Sequence, residues 1–450
     1  MFGSRSLRQY HSPSRRLRLS RLLAVAVAAA ALLLGLAGPA LAEPATTVNY
    51  TAGASATRYS GLAFDTCTAP PLAAIRAWAA SPYRALGVYI GGVNRTCKQP
   101  ELTATWVAAV SGLKWRLLPI YKGLQAPCGG KPTDQKITPS VAVSQGRAAA
   151  GDAVAKAKAL GMTGGSALYN DMEPYTATNA SCRAAVLQYL SGWTKETHRL
   201  GYVAGIYAQL SSGAKNLAET YTSASYARPD ALWIARYDGV AALSGWAGVP
   251  DSNWAVHQRA KQYRNSHNET YGGVTINIDN DRVDAPVATV GYSYRVTSGT
   301  PLNARSGPST SYPVAGTRQP GSTLRVLCQA PGSAVGGTSV WDKLTDGSYV
   351  TDHYVSTPSS SGYSAPLPRC SYPYQVAPSG GLNERTGPGA SYPVAGTLPG
   401  GSLAWLTCQQ AGTAVGSTRI WDKLTDGRWV TDYYVATPSN TTYSKPAPRC

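Results

Sequence analysis

The sequence is poor in the residue patterns that metal sites and the common hydrolytic nucleophiles need. It has five histidines and eight cysteines among 450 residues, and neither set has the spacing of metal ligands. No His-Glu-x-x-His or Gly-x-Ser-x-Gly motif occurs, which argues against a zinc peptidase and a serine hydrolase. We therefore expect neither a metal nor another cofactor, and an amidase or a peptidase is the least favoured enzyme class.

Acidic residues are also scarce. Asp and Glu number 23 against 41 Lys and Arg, which gives a formal net charge of +18. Beyond the N-terminal segment the basic residues form no dense cluster, so nucleic acid is not expected as a partner. A basic protein attracts anionic polymers over a long range, although a role in solubility alone accounts for the charge equally well.

The chain has a single long apolar run, and it has the features of an export signal. Six arginines and no acid precede Leu22 to Leu36, and a small-residue cleavage site follows. We predict that residues 1–42 are a signal peptide, cleaved after Ala42, and that the secreted chain carries a charge of +12. Residues 14–19 resemble a twin-arginine signal, and the general secretory route is the alternative. An uncleaved anchor is less favoured, and no other run approaches the ~20 apolar residues of a membrane span.

The C-terminal part repeats with a period of 80 residues. The segment Trp341 to Gly347 recurs unchanged from Trp421, and each repeat holds two cysteines. Such a repeat marks tandem domains. An even number of cysteines in an exported chain indicates disulfides, so we predict the pairs Cys328–Cys370 and Cys408–Cys450.

Each repeat is predicted to be all-β, because short apolar runs alternate with turns rich in Gly, Pro, Ser and Asn. The pattern L-N-x-R-x-G-P-x-x-S-Y-P-V, followed by W-D-K-L-x-D-G-x-x-V, resembles bacterial SH3-type domains over residues 293–370 and 373–450. The resemblance implies two small SH3-like barrels that bind cell-wall peptides or other envelope ligands. Trp341 and Trp421 are expected in the cores, whereas Tyr312 and Tyr392 are candidates for a ligand groove.

Residues 46–290 alternate between predicted strands and helices. Eight apolar strands in about 240 residues predict an α/β fold of the TIM-type (β/α)8 barrel class, with a flavodoxin-like open sheet as the alternative. The predicted strands are Gly61–Thr66, Ala85–Gly91, Arg116–Tyr121, Ala167–Glu173, Tyr202–Tyr207, Ala231–Tyr237, Trp254–Gln258 and Val274–Asp281. The predicted helices are Leu72–Ala80, Leu102–Val110, Ser144–Leu160, Cys182–Leu200 and Gly213–Tyr221.

The most informative segment is Asp171-Met172-Glu173 at the end of the fourth predicted strand. Side chains of a strand alternate between its faces, so Asp171 and Glu173 point the same way, with their Cα atoms about 6.5 Å apart. Two such carboxylates suit acid/base chemistry on a sugar. Like charges disfavour double ionisation, and we assign the proton to Glu173 as the donor and stabilisation to Asp171.

In a (β/α)8 barrel the active site lies at the carboxyl ends of the strands. Several other acids and aromatic residues fall at or near those ends. The candidate catalytic residues are Asp65, Asp171, Glu173 and Asp279. The candidate substrate-binding residues are Tyr89, Tyr121, Tyr207, Trp233, Tyr237, Gln258 and Asp281. Arg236 is expected to pair with one of the acids, and bonding of the acids to loop backbone is the alternative to a catalytic role.

The arrangement resembles the family 25 lysozyme-like glycoside hydrolases and, more closely, a bacterial group of glycoside-hydrolase-like domains of unknown function. The matching elements are Phe64-Asp65, Asp171-x-Glu173, residues 232–237 and residues 278–281. The resemblance implies that Glu173 is the general acid/base and that Asp171 stabilises the substrate. The W-Q-Y motif of the lysozymes is spread out here, from Trp254 to Gln258, with Gln262-Tyr263 following.

The predicted strand order also predicts disulfides. Cys67 and Cys97 follow the first two strands, and Cys128 and Cys182 follow the next two. Loops after adjacent barrel strands lie side by side, so we predict the pairs Cys67–Cys97 and Cys128–Cys182.

Two functional hypotheses follow. The first is a secreted, monomeric glycoside hydrolase that acts on peptidoglycan or a related envelope polysaccharide and is targeted by its two SH3-type domains to cell-wall glycan or peptide. The second is a catalytically inactive wall-binding protein with a degenerate barrel, which the altered Trp–Gln segment favours.

Overall fold

The computed structural model of the protein describes residues 54–377 and 380–450. The predicted signal peptide, residues 1–42, lies outside these ranges. Within them, no helix has both the length and the apolar character that crossing a bilayer requires.

Eight strands form a closed barrel in chain order. The strands are β1 (Thr57–Asp65), β2 (Ala85–Gly91), β3 (Arg116–Tyr121), β4 (Ala167–Met172), β5 (Val203–Gln209), β6 (Ala231–Ala235), β7 (Arg259–Tyr271) and β8 (Val274–Val287). Strands β1 to β7 run parallel, and β8 is antiparallel to both β7 and β1. The predicted eight-stranded barrel is therefore confirmed, but a uniformly parallel (β/α)8 barrel is wrong because the last strand returns as a hairpin.

Helices pack on the outer face of the barrel. They are α1 (Leu72–Ala77), α2 (Ala104–Gly112), α3 (Ala142–Ala159), α4 (Ala180–Arg199) and α5 (Lys215–Glu219). Side-chain caps begin two of them, since Thr103 accepts a hydrogen bond from the Trp106 amide and Asn179 from the Cys182 amide. A Cβ on Gly146 of α3 would lie 2.0 Å from the carbonyl oxygen of Tyr189, so glycine is needed where α3 meets α4.

The inside of the barrel is a packed core of alternate strand residues. Small residues such as Ala63, Ala167 and Val203 face inward, and the rings of Tyr169 and Trp233 fill the remaining space. The two rings meet edge to face with centroids 5.6 Å apart. This core closes the barrel below the carboxyl ends of the strands, as in other filled eight-stranded barrels.

The seventh strand was predicted in the wrong place. The apolar segment from Trp254 to Gln258 is a turn, and both Trp254 and His257 have a positive φ. The actual strand begins at Arg259, which is buried and donates hydrogen bonds to the carbonyl oxygens of Leu243 and Asn253. Between β6 and β7 the described chain has loops in place of a helix. Arg259 and Lys261 of β7 are buried against acids and carbonyl oxygens of these loops, so the start of β7 lacks the apolar pattern of a buried strand.

The two repeats form two six-stranded antiparallel sheets of the same topology. The first contains β9 (Tyr292–Arg295), β10 (Leu302–Arg305), β11 (Val314–Arg318), β12 (Thr323–Val335), β13 (Thr338–Leu344) and β14 (Tyr349–Thr351). The second contains β15 (Tyr372–Gln375), β16 (Gly381–Arg385), β17 (Val394–Pro399), β18 (Leu403–Val415), β19 (Thr418–Leu424) and β20 (Trp429–Thr431). Trp341 and Trp421 are buried in these units, in agreement with the prediction.

All eight cysteines form disulfides in the predicted pairs. The bonds are Cys67–Cys97, Cys128–Cys182, Cys328–Cys370 and Cys408–Cys450. The first two connect the loops after neighbouring barrel strands, which supports the strand order β1 to β4. The other two connect each C-terminal sheet to the segment that follows it.

The second sheet covers the amino-terminal end of the barrel. The Ala56 amide donates to the carbonyl oxygen of Ser371 at 3.0 Å, and Gln375 Nε2 donates to Asp230 Oδ1 at 3.2 Å. Trp405 is buried, and the guanidinium of Arg58 from β1 lies 5.4 Å from its ring centroid. The cores of the barrel and of the second sheet are therefore continuous.

This shared core predicts a difference between equivalent positions of the two repeats. Trp405→Ala should lower the free energy of unfolding by about 3–5 kcal/mol, since it opens a cavity under the barrel. Arg325 is the equivalent residue of the first repeat and is exposed, so Arg325→Ala should change it by less than about 0.5 kcal/mol. Urea unfolding of both variants is the measurement, and equal effects would contradict the shared core.

Candidate active site

The candidate site is a layer of inward-facing side chains at the carboxyl ends of the parallel strands. It lies one layer above the apolar core, because strand residues alternate between the inside and the outside of the barrel. The members of the layer are Asp65, Tyr89, Lys122, Asp171, Tyr207, Gln262, Asp279 and Asp281. Because β8 runs antiparallel, its early residue Asp279 pairs with Asp65, the last residue of β1.

Lys122 lies between the two acids of the fourth strand. Its Nζ forms an ion pair with Glu173 and lies 3.8 Å from Asp171 Oδ2. Burial opposes the Lys122 ammonium, but the charges of Asp171 and Glu173 outweigh burial and raise the pKa of Lys122. This ammonium is therefore a fixed positive charge in the site.

The two acids differ in their exposure. Both carboxyl oxygens of Asp171 are buried and accept no hydrogen bond, whereas the Glu173 side chain is 32% exposed. Burial, reinforced by the charge of Glu173, raises the pKa of Asp171 to about 7, and Lys122 acts in the opposite direction. Asp171 is therefore the buried acid of this pair, with a raised pKa, and Glu173 is the acid that a substrate can reach.

Gln125 holds the backbone that carries this pair. Its side chain is fully buried, and its Nε2 donates to the carbonyl oxygen of Asp171 at 2.9 Å. Its Oε1 accepts from the Glu173 amide at 2.8 Å. The Gln125 side chain thereby fixes the backbone on both sides of the single residue that separates Asp171 from Glu173.

A second group of acids lies across the layer, on β1 and β8. Gln262 Nε2 donates to Asp65 Oδ2 at 2.6 Å and to Asp279 Oδ2 at 3.1 Å. Trp233 Nε1 donates to Asp281 Oδ1 at 3.0 Å. The donors that reach these three acids include no strong cation. Burial raises the pKa of each carboxyl, and for Asp65 and Asp281 the charges of neighbouring acids raise it further.

Asp65 and Asp281 influence each other's ionisation. Burial raises the pKa of both carboxyls, and the charges of the neighbouring acids raise them further. Asp281 Oδ2 is buried and accepts no hydrogen bond. The two carboxyls therefore titrate as a pair.

Three tyrosines complete the layer. Tyr207 donates from its hydroxyl to Gln262 Oε1 at 2.7 Å, and Tyr237 is 49% exposed. Burial and the charges of Asp171 and Asp65 raise the pKa of Tyr89. Exposed or half-buried tyrosine rings beside carboxyl groups suit a sugar ring.

Three predicted substrate-binding residues do not lie at the mouth of the barrel. Tyr121 faces outward, where its hydroxyl donates to Asp152 Oδ2 of α3 at 2.8 Å. Trp233 is fully buried below the layer and cannot stack on a ligand. Gln258 lies at the opposite end of the barrel, where it bonds to Asp230 and Leu403.

Arg236 does not pair with an acid of the site, as had been expected. It pairs with Asp238 at 2.8 Å.

Two residues of the layer were missed from the sequence. Lys122 follows Tyr121, and strand alternation places Lys122 inward because Tyr121 faces outward. Gln262 was noted only as part of Gln262-Tyr263, because the seventh strand was expected earlier in the chain. No group of His, Cys, Asp or Glu side chains in the described ranges is arranged to hold a metal ion.

The comparisons with known proteins identify the kind of domain. Residues 76–283 match the family model of the Rv2525c-like, glycoside hydrolase-like domain. The predicted glycoside hydrolase-like domain is confirmed by this match, and the likeness to family 25 and to SH3-type domains stays a prediction.

Among curated proteins, the uncharacterized protein YraJ of Bacillus subtilis is 34% identical over 78 residues, or 15% of this chain. The chain spans 66% of the length of that relative.

Solved structures with partial similarity are distant. An uncharacterized protein of B. stearothermophilus is 19% identical, with 49% of this chain and 95% of that chain covered and a TM-score of 0.35. The Tat-secreted protein Rv2525c of Mycobacterium tuberculosis is 15% identical, with 50% and 95% covered and a TM-score of 0.35. The spore cortex lytic enzyme SleM of Clostridium perfringens is 10% identical, with 82% and 95% covered and a TM-score of 0.37.

The raised pKa of Asp171 predicts how stability changes with pH. The unfolded acid ionises near pH 4, while the folded one keeps its proton to about pH 7. The folded state therefore binds more protons in this window, and the unfolding free energy falls as pH rises. Asp171→Asn has no carboxyl at this position and so lacks this pH dependence. The unfolding free energy of the variant minus that of wild type should therefore rise by up to about 1.4 kcal/mol per pH unit between pH 4 and 7.

The measurement is urea unfolding of both proteins across that window. A stability difference that does not change with pH would show that Asp171 is ionised in the folded protein.

Proposed function

We propose that this protein is a secreted glycoside hydrolase that acts on peptidoglycan or a related cell-envelope polysaccharide. The observation that carries the proposal is the Asp171–Lys122–Glu173 group at the mouth of a glycoside hydrolase-like barrel. It places a buried acid with a raised pKa and a partly exposed acid on the same face, opposite the acids of β1 and β8. Glycosidic bond cleavage needs both forms of a carboxyl group in one site.

In this proposal Glu173 carries out proton transfer, because its carboxyl is partly exposed. Asp171 lies beneath it and provides a neutral carboxyl that donates a hydrogen bond at pH values below about 7. Lys122 sets the charge of the pair, and its ammonium must leave Glu173 for that residue to receive a proton. Asp65, Asp279 and Asp281 form the opposite wall, where negative charge stabilises a cationic transition state.

The cell envelope as the place of action rests on several predictions together. These are the signal peptide, the basic charge of the secreted chain, and the resemblance of the two repeats to SH3-type wall-binding domains. Four disulfides in the described residues suit an oxidising, extracellular compartment.

The test is glycan cleavage in purified cell walls. Glu173→Gln should lower the release of reducing sugar by about 100-fold or more, which is the usual effect of removing a general acid/base. Glu196→Gln is the matched control, because Glu196 lies on α4 and pairs with Arg199 away from the site. Equal release by wild type and Glu173→Gln would refute the role of Glu173.

One observation favours a second function, the binding of wall glycan without cleavage. In the resting site Glu173 is ion-paired with Lys122, so the ammonium occupies the carboxyl that the hydrolase would present to its substrate. The second function predicts that wild type sediments with purified cell walls and releases no sugar from them. Lys122→Met separates the two functions, since removal of the ammonium frees Glu173 and should restore or raise cleavage only in a hydrolase.

A further inference from the structure

A groove lies between the first repeat and the last residues of the chain, far along the chain from the barrel site. It has a volume of about 820 Å³ and is called the inter-repeat groove below. Tyr312 and Arg318 of the first repeat form one wall. Tyr443, Lys445 and Arg449, which follow the second sheet, form the other wall.

The groove is preformed by contacts between its two walls and within them. The Arg449 amide donates to the hydroxyl oxygen of Tyr312 at 3.1 Å, and the Arg449 guanidinium lies 4.2 Å from the ring centroid of Tyr443. A disulfide at the neighbouring Cys450 holds this end of the chain to the second sheet. A Cβ on Gly307 would lie 2.5 Å from the Tyr312 ring, so glycine lets that ring rest against the backbone.

The charge of the groove is positive. Arg318, Lys445 and Arg449 line it, and the acid in its lining, Asp346, is already paired with Arg318. Lys445 and Arg449 are exposed, and in the described part of the chain neither is within ion-pair distance of an acid. Guanidinium and ammonium groups of this kind pair with carboxylate or phosphate groups of a ligand.

The groove depends on having two repeats that are not identical. Lys445 corresponds to Ala365 of the first repeat, and Arg318 corresponds to Leu398 of the second. The segment of the first repeat that corresponds to the groove wall contacts the barrel, where Arg116 Nη2 donates to the carbonyl oxygen of Pro366 at 3.1 Å. The groove therefore forms once, from the first repeat and the end of the second.

We infer that the inter-repeat groove binds a negatively charged carbohydrate chain. Lys445 and Arg449 pair with carboxylate or phosphate groups along the chain, and Tyr312 and Tyr443 contact its sugar or polyol units. This binding is independent of cleavage in the barrel, so it holds whether or not the proposed hydrolase activity is present.

The test is isothermal titration calorimetry of the intact secreted protein with three polymers. Poly(glycerol phosphate) presents phosphate, polygalacturonate presents carboxylate, and a dextran oligomer is neutral and differs from the polysaccharide proposed for the barrel. We expect binding of at least one anionic polymer, weakened at high salt, and no binding of the neutral oligomer. Binding of one anionic polymer alone identifies which anion the groove takes.

The variants locate the binding. Lys445→Ala with Arg449→Ala should weaken binding by about 10-fold or more, from the loss of two charge-assisted contacts. Arg325→Ala with Arg369→Ala is the control, because it removes the same charge from exposed positions outside the groove lining, and Arg369 covers Tyr363 as Arg449 covers Tyr443. The single variant Lys445→Ala introduces the residue that the first repeat has at this position. Weaker binding by this variant would show that the effect of the double variant does not come from misfolding.

Glu173→Gln should bind the polymer as wild type does, which separates this inference from the proposed function. Three results would overturn the inference. They are no binding of either anionic polymer, equal binding of the neutral oligomer, and equal weakening by the control pair.

Discussion

One ammonium among five carboxyl groups sets the chemistry of the barrel mouth. Lys122 lies between Asp171 and Glu173, while the donors to Asp65, Asp279 and Asp281 include no strong cation. Burying like charges together is costly unless some of them are neutralised. Burial therefore raises the pKa of Asp65, Asp171, Asp279 and Asp281, and the division of roles among the acids follows from these shifts and from the position of Lys122.

The direction of the eighth strand matters less to the site than its register. Asp279 and Asp281 were expected at the end of a parallel strand, but β8 runs the opposite way. They still reach the mouth because they lie early in β8, opposite Asp65 and Ala63 of β1. The hairpin also places Gln262 of β7 beside Asp281, which allows Gln262 to bridge the acids.

Much of this could be predicted from the sequence, and the failures have physical causes. Seven of the eight barrel strands and the Asp171-x-Glu173 pair were predicted, because apolar residues and strand alternation mark them. The seventh strand was not, since Arg259 and Lys261 are buried through hydrogen bonds and ion pairs that no hydrophobic pattern reveals. Tyr121, Trp233 and Gln258 were misplaced because residue type was considered without the face and depth at which each side chain lies.

The central claim is that burial raises the pKa of Asp171 to about 7, although the Lys122 ammonium acts in the opposite direction. The most direct measurement is a carbon-13 NMR titration of the Asp171 carboxyl in wild type and in Lys122→Met. We predict a pKa of about 7 for Asp171 in wild type and a higher pKa once the ammonium is removed. Titration of Asp171 near its ordinary value of about 4 in both proteins would contradict the account.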